Sequence, residues 1–147
     1  MFQNILIPTD GSADSRAAIV AGVELAKALG AKVTGFFAAP AATPVIYKGL
    51  IPVGYMTPEE HAELIEKTAA EYLEVIEKAA QAAGVPCKCI HLTDEFPADS
   101  ILAVARKEYC DLIFMASHGH RGRSGLLLGS ETQKVLTHSE LPVVVYR

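Results

Sequence analysis

A glycine-rich segment near the carboxyl end of the chain has the residues best suited to hold a phosphate group. It runs from Ser117 to Ser130 and places four glycines within eleven positions. Glycines let backbone N–H groups approach an anion, and a helix predicted to begin near Ser130 adds the positive end of its dipole. His118, Arg121 and Arg123 add positive or potentially positive side chains. The segment therefore predicts a di- or triphosphate site, and the alternative is a plain connecting loop in which Ser130 only caps a helix.

Asp10 is a second candidate for ligand binding because it directly follows the first apolar run, Ile5–Ile7, and the Pro-Thr pair after it. The alternative is a turn aspartate that bonds its own backbone two residues on. Neither a Gly-Lys-Ser/Thr phosphate loop nor a three-glycine dinucleotide fingerprint occurs in the sequence. His118 and His120 flank Gly119, but no orienting partner for acid–base chemistry can be named. We therefore predict no catalytic residues and no enzyme.

Short apolar runs alternate with helical patterns along the whole chain. The predicted strands are 5–7, 33–37, 87–92, 112–116 and 143–146, and the predicted helices are 17–29, 58–83, 97–109 and 131–138. Strands that are apolar on both faces and separated by helices predict a doubly wound parallel sheet, here as one α/β domain over residues 1–147. Ligands of such sheets bind outside the carboxyl ends of the strands, where the strand order reverses.

Capping residues mark where these helices begin and end. Ser12 is a predicted N-cap, Thr57 opens a capping box, and Gly30 ends the first helix. Ser130 is a predicted N-cap as well, with Gln133 completing its capping box. The segment from Pro40 to Gly54, with Tyr47 and Ile51 in it and Tyr55 after it, is predicted to be a long functional loop.

Charge and hydropathy exclude several classes of partner. The net charge is −4, which disfavours duplex nucleic acid and anionic membrane surfaces as ligands. No secretion signal is visible, and no apolar run approaches the roughly 20 residues that span a bilayer. We expect a cytoplasmic protein that binds neither nucleic acid nor membrane.

The three cysteines do not predict a disulfide framework. Cys87, Cys89 and His91 alternate along a predicted strand, so their side chains point to one face. A metal site would need a further ligand or an open position, and on a buried strand such residues more often pack as small apolar side chains. We therefore predict no metal site, and a place in the core for Cys110.

Three segments together resemble the universal stress protein family. Ala116-x-x-Gly119, then nine residues, then Gly129-Ser130 resembles the family's nucleotide signature, Gly-x-x-Gly-x9-Gly-Ser/Thr. Residues 5–12 resemble its opening strand and turn, and residues 141–145 its closing strand. The resemblance covers the whole chain in the right order. It implies a Rossmann-like sheet of five strands in the order 3-2-1-4-5, and a homodimer through the last strand, Val143–Tyr146.

The resemblance also implies an adenine nucleotide, ATP or AMP with or without magnesium, and a regulatory or stress-response role for the dimer. Gly119 would present its backbone to the phosphates, Asp10 would lie at the adenosine, and Ala38 would border the adenine. The full set of residues implied at the nucleotide is Pro8, Thr9, Asp10, Ala38, Ala116, His118, Gly119, Gly129, Ser130 and Glu131. A dimeric interaction protein without nucleotide, or a slow ATPase, are the alternatives.

Ala116 departs from this signature, which has glycine at the corresponding position. If the glycine serves only close approach to the sugar, a methyl group is tolerated there. If it serves a positive φ, alanine weakens nucleotide binding.

Overall fold

The computed structural model describes residues 1–41, 45–48, 51–119 and 127–147. The strands within these ranges are β1 (Asn4–Thr9), β2 (Lys32–Ala39), β3 (Val45–Lys48), β4 (Ile51–Tyr55), β5 (Cys87–Thr93), β6 (Leu112–Ala116) and β7 (Val143–Tyr146). The helices are α1 (Ala13–Leu29), α2 (Pro58–Ala83), α3 (Pro97–Lys107) and α4 (Ser130–His138). No helix in the described ranges is both long and apolar enough to cross a bilayer.

Five of these strands form one parallel sheet in the order β5-β2-β1-β6-β7. These are the five predicted strands, in the order 3-2-1-4-5, so the predicted doubly wound fold is confirmed. β1 is central and buried on both faces: Ile5 and Ile7 pack with α1 and α2, whereas Leu6 packs with α3 and α4. This alternation follows from the two-residue period of a strand.

The predicted loop from Pro40 to Gly54 is wrong in part. β3 and all but the last residue of β4 lie within it, and the two strands pair with each other antiparallel, as a separate two-stranded sheet. Pro52 and Gly54 favoured a loop, but proline is acceptable in a strand whose other edge is unpaired, as in a two-stranded ribbon. Residues 42–44 and 49–50 of the predicted loop lie outside the described residues.

β5 differs from its predicted environment as well. It is an edge strand whose side chains are exposed or half-buried, so the prediction of a buried strand is wrong. Cys87 is exposed, whereas Cys89 is half-buried and packs against the apolar core, as predicted for a small apolar side chain. Length and apolar content did not distinguish an edge strand from an internal one. Cys110 is buried beside α3, as predicted, and this burial raises the pKa of its thiol.

The pairing of β1 with β6 stops short of the carboxyl ends of both strands. It joins Ile5 to Leu112 and Leu6 to Ile113. The Asn4 carbonyl accepts a hydrogen bond from the Asp111 N–H at 3.0 Å, so alternate residues of β1 from Asn4 onward direct their backbone groups toward β6. Pro8 is the third residue in this series and has no N–H to donate. The ladder therefore opens at the point where the strand order of the sheet reverses.

Most helix ends agree with the predicted caps. The Ser12 hydroxyl accepts from the Ser15 N–H at 3.1 Å, and Gly30 ends α1 in the left-handed conformation at φ 66°. α1 begins four residues before its predicted start, because its polar first turn shows no apolar period. The Thr57 capping box is present with both of its hydrogen bonds.

The two serine and threonine caps allow a matched test of burial. Ser12→Ala is expected to lower the free energy of unfolding by about 1–2 kcal/mol, because it leaves the buried Ser15 N–H without its acceptor. Thr57→Ala removes a bond of equal length, 3.1 Å, at an exposed helix end and is expected to cost about 0.5–1 kcal/mol. Urea denaturation measures both, and an equal or larger cost at Thr57 would contradict the expected order.

Candidate functional site

The carboxyl ends of β1 and β6 bring Asp10 and Gly119 into contact. Asp10 follows β1, and its Oδ1 accepts a hydrogen bond from the Ser12 N–H at 3.0 Å, which is the turn bond given above as the alternative to a ligand role. Its Oδ2 lies in the space that a side chain on Gly119 would need, and a Cβ there would also lie 3.1 Å from Asp10 Cγ. Gly119 does not have a positive φ. Close approach, and not an unusual backbone conformation, therefore explains glycine at this position.

Gly129 makes a second close approach at the same edge. Its N–H donates to the Ser117 carbonyl at 2.6 Å. A Cβ on Gly129 would lie 3.2 Å from that carbonyl oxygen and 3.3 Å from His118 Cα. Both are backbone atoms, which cannot turn aside as a side chain can. The start of α4 is thus held against the turn that follows β6.

The amino end of α4 differs from the predicted cap. Gly129 is the N-cap, at φ −68° and ψ 157°, and no side chain caps this helix. Ser130 is the first helical residue, so the predicted capping box with Gln133 is wrong; the Gln133 amide donates to the Leu128 carbonyl at 3.1 Å instead. The Gly129–Ser117 bond fixes where the helix begins. Because this bond joins two segments that are 12 residues apart, a local sequence pattern does not reveal it. The N–H groups of the first turn have no acceptor within the helix, and with the helix dipole they favour an anion.

The side chain of Glu131 lies in the interface between two helices. Its Oε2 accepts from the Ala98 N–H in the first turn of α3 at 2.9 Å, and its Oε1 lies 3.2 Å from Lys134 Nζ. A carboxylate is favourable at a helix amino end. The Glu131 carboxylate is thus directed toward α3 and Lys134, so a contact of Glu131 with a nucleotide would be made by its backbone N–H.

Ala116 ends β6 in an ordinary strand conformation. Its φ is not positive, it is 7% exposed, and it belongs to the apolar cluster under α1 and α2. Its carbonyl accepts from the Thr132 hydroxyl at 2.9 Å, which ties β6 to α4. The backbone at this position therefore accepts alanine without strain, and a need for positive φ does not apply to this chain.

The other predicted residues occupy the same edge with different surroundings. Pro8 and Thr9 end β1, and the Thr9 hydroxyl lies 3.1 Å from both the Gly11 N–H and the Ser15 hydroxyl. Ala38 follows the β2 residue that pairs with Thr9 and is half-buried. The His118 ring shares a 3.0 Å hydrogen bond with the Ser117 hydroxyl. His120, Arg121 and Arg123 lie outside the described residues.

Three residues that shape the site, Tyr72, Ser117 and Thr132, are absent from the predicted set. Gly11 has a φ of 79°, and the ring of Tyr72 lies where its Cβ would be, so Tyr72 covers the turn that carries Asp10. The rings of Tyr72 and Phe37 meet edge to face at 5.1 Å. Ser117 acts through its backbone bond with Gly129, and Thr132 through the bond of its hydroxyl to the Ala116 carbonyl. Tyr72 falls on the apolar stripe of α2, so its spacing indicated only core packing.

No group of three or more His, Cys, Asp or Glu side chains is arranged to hold a metal ion within the ranges that the structure describes. The features of the site that the structure describes are therefore a carboxylate, closely packed glycine backbone and the amino end of a helix.

Comparison with known proteins agrees with this architecture. The family model of the universal stress proteins matches residues 1–147. The chain belongs to the universal stress protein family. It is 31% identical to universal stress protein MJ0531 of Methanocaldococcus jannaschii, covering 100% of this chain and 83% of that protein. It is also 31% identical to universal stress protein YxiE of Bacillus subtilis, with 100% of both chains covered.

Solved structures of the family share the fold. Universal stress protein UspA from Lactobacillus plantarum superimposes with a TM-score of 0.78 at 23% identity, covering 99% of this chain and 98% of that one. A universal stress protein in complex with cAMP gives 0.68 at 22% identity, with 99% and 97% covered. The Archaeoglobus fulgidus protein in complex with dAMP gives 0.62 at 17% identity, with 100% and 98% covered.

The contact between Asp10 and Gly119 can be tested by a double-mutant cycle. Gly119→Ala alone is expected to lower the free energy of unfolding by about 1–3 kcal/mol, because the new methyl group displaces the Asp10 carboxylate from its bond to Ser12. In an Asp10→Ala background the same substitution should cost about 1 kcal/mol less. Urea denaturation of the four proteins measures this coupling. An identical cost in both backgrounds would show that Asp10 is not what limits the size of residue 119.

Proposed function

We propose that this universal stress protein binds an adenine nucleotide, ATP or AMP, at the carboxyl edge of β1 and β6. The observation that supports this best is the convergence of Asp10, Gly119 and Gly129 at the point where the sheet reverses its strand order. Doubly wound sheets bind their ligands at that position. Two relatives of the same fold, in complex with cAMP and with dAMP, support an adenine nucleotide as the ligand class.

Each part of the nucleotide is matched to groups of a different chemistry. The phosphates would lie at the amino end of α4, where backbone N–H groups of Ser130 and Glu131 have no helical acceptor. Asp10 carries a negative charge and suits a sugar hydroxyl better than a phosphate, so we place it at the ribose with Pro8 and Thr9. Ala38, a small side chain at the end of β2, would border the adenine. Magnesium, where present, would accompany the phosphates.

We propose a role in holding nucleotide and not in rapid turnover. Phosphoryl transfer requires an oriented nucleophile and concentrated positive charge. His118 is the one imidazole among the described residues of the site, and its ring bonds the neighbouring Ser117 hydroxyl. Bound nucleotide would then act by changing the conformation of the protein, and so its contacts with other proteins.

A homodimer through β7 completes the proposal. β7 is an edge strand, and Val144 and Tyr146 are 38% and 39% exposed. The Tyr146 carbonyl accepts from the Ser117 N–H at 2.9 Å, so Val144 and Tyr146 direct their backbone groups to β6. The backbone groups of Val143 and Val145 therefore face the open edge, where a second copy could pair with them.

Ser117 links this edge to the nucleotide site. Its N–H donates to Tyr146 of β7 at 2.9 Å, and its carbonyl accepts from Gly129 at 2.6 Å. A nucleotide that moves the start of α4 would therefore move the end of β7 through one residue. This supports a dimer whose contacts depend on the bound nucleotide.

Nucleotide binding can be tested by isothermal titration with ATP, AMP and GTP. The parent is expected to bind the adenine nucleotides, and Gly129→Val to bind them at least about tenfold more weakly, because its side chain meets backbone atoms of Ser117 and His118. Gly84→Ala is the matched control: Gly84 ends α2 at φ 71° with open space around it, so the variant should lose stability and keep its affinity. Undiminished affinity of the Gly129 variant would place the site elsewhere. A parent that binds no nucleotide would favour an interaction protein.

The dimer can be tested with substitutions at the open edge of β7. Val145→Pro removes an outward N–H and leaves the N–H groups that face β6 in place, so we expect folded monomers. Val144→Lys adds a charge on an exposed position of the same strand and should also weaken association. Sedimentation gives the oligomeric state, and circular dichroism confirms folding. A parent that is monomeric at micromolar concentration would contradict the dimer, as would a Val145→Pro variant that remains dimeric.

A further inference from the structure

Two thiols lie in contact on the opposite edge of the sheet, away from the proposed nucleotide site. The Sγ atoms of Cys87 and Cys89 are 3.8 Å apart on the side of β5 that faces α2. Cys87 is exposed and Cys89 is half-buried. Small molecules can therefore reach the Cys87 thiol directly from solvent, with Cys89 beside it.

The neighbouring strand is shaped to accept one of these sulfurs. Gly35 of β2 pairs with Cys89, and a Cβ on Gly35 would lie 2.8 Å from Cys89 Sγ and 3.0 Å from Ile76 Cδ1. The sulfur therefore occupies the space that the glycine leaves open. It also lies 3.9 Å from the Leu73 carbonyl of α2, which fixes Cys89 from behind.

The two thiols differ in proton affinity. The hydrogen bond from Cys89 lowers the pKa of the Cys87 thiol. The pKa of the Cys89 thiol is raised, mainly by the same hydrogen bond and secondly by burial. The charge of Glu77 raises it as well. Because the thiolate is the nucleophile in thiol chemistry, the exposed Cys87 is suited to attack and the protonated Cys89 to follow.

We propose that Cys87 and Cys89 form a reversible oxidation site that exchanges with small disulfides. The Cys87 thiolate attacks one sulfur of the disulfide, forms a mixed disulfide and expels the other half as a thiolate. Cys89 then attacks Cys87 Sγ, the internal disulfide closes, and the second half leaves as a thiolate that takes the Cys89 proton. The small disulfide is reduced to two thiols, and the protein loses two hydrogen atoms.

The strand geometry makes this internal disulfide easy to reverse. A rise of about 3.3 Å per residue places the two Cα atoms about 6.6 Å apart, close to the upper limit of about 6.8 Å for a disulfide. Closure therefore requires a local contraction of β5, which an edge strand with one unpaired side can make. A strained, exposed disulfide is reduced more readily than a structural one.

The surrounding charges select the class of disulfide. Glu66, Glu74 and Glu77 line the groove beside Cys89, together with His91. Lys78 pairs with Glu74 at 2.7 Å, and His91 lies 3.3 Å from Glu66, so the carboxylates of this groove exceed its cations. On the other side of Cys87 lie Lys32, Lys88 and Glu108, with Lys88 paired to Glu108 at 2.9 Å, so the excess of carboxylates is on the α2 side of the two thiols. An anionic disulfide is repelled from such a groove, whereas a cationic one is attracted. We therefore expect positively charged small disulfides to be preferred.

The rates can be measured with three probes: cystamine, hydroxyethyl disulfide and oxidised glutathione, which are cationic, neutral and anionic. Each rate is divided by that of 2-mercaptoethanol, a reference thiol with no other ionisable group, with the same probe. Relative to this reference, cystamine should react at least about tenfold faster than oxidised glutathione, and added salt or Glu77→Gln should reduce the difference. Equal relative rates for the three probes would overturn the proposed charge selection.

Mass spectrometry identifies the bond. Trypsin cleaves the unfolded chain after Lys88, between the two cysteines, so a disulfide is detected as a covalent link between two peptides. Cys89→Ser should accumulate the mixed disulfide at Cys87, Cys87→Ser should react at least about tenfold more slowly, and the buried Cys110→Ser should behave as the parent. A parent that stops at mixed disulfides, or a link that requires Cys110, would overturn the proposal. None of these readouts depends on nucleotide binding.

Discussion

Pro8 removes a backbone donor at the point where β1 and β6 would otherwise stay paired to their carboxyl ends. Ahead of it, Leu6 and Ile113 hold the two strands together in the buried centre of the sheet. Beyond it, the strands are free to end in separate turns, one with Asp10 and one with Gly119. β1 therefore contributes both to the buried core, at Leu6, and to the open carboxyl end of the sheet, from Pro8 onward.

The turns beyond Pro8 can pack closely because glycines occupy the positions where they meet. Gly119 accommodates the Asp10 carboxylate, Gly129 accommodates the backbone after β6, and Gly11 accommodates the ring of Tyr72. A methyl group at any of the three would press on a neighbour. Ala116, in contrast, carries its methyl group inside the core, which is why this departure from the glycine signature is compatible with the observed backbone.

Much of the fold could be predicted because its signals are local. Apolar runs predict the strands of the main sheet, and caps such as Ser12 and Thr57 predict where helices begin. The family resemblance implies the strand order. The incorrect predictions concern features that depend on contacts between distant segments of the chain. The local pattern predicts a cap at Ser130, whereas the bond from Gly129 to Ser117 places the cap one residue earlier, and this bond joins segments that are distant in the sequence. Glu131 bonds α3, 33 residues away in the chain, and no spacing rule indicates such a partner. The exposure of β5 depends on its place in the sheet, which periodicity does not encode.

The two backbone hydrogen bonds of Ser117 have a thermodynamic consequence. Ser117 accepts a bond from the start of α4 and donates one to the end of β7, so ligand binding and self-association would share one structural element. Linkage is reciprocal: a nucleotide that strengthens association by some factor must itself be bound more tightly by the dimer, by that same factor. The apparent dissociation constant would then fall as protein concentration rises. Dilution alone would release nucleotide, and the protein would report its own abundance through its occupancy.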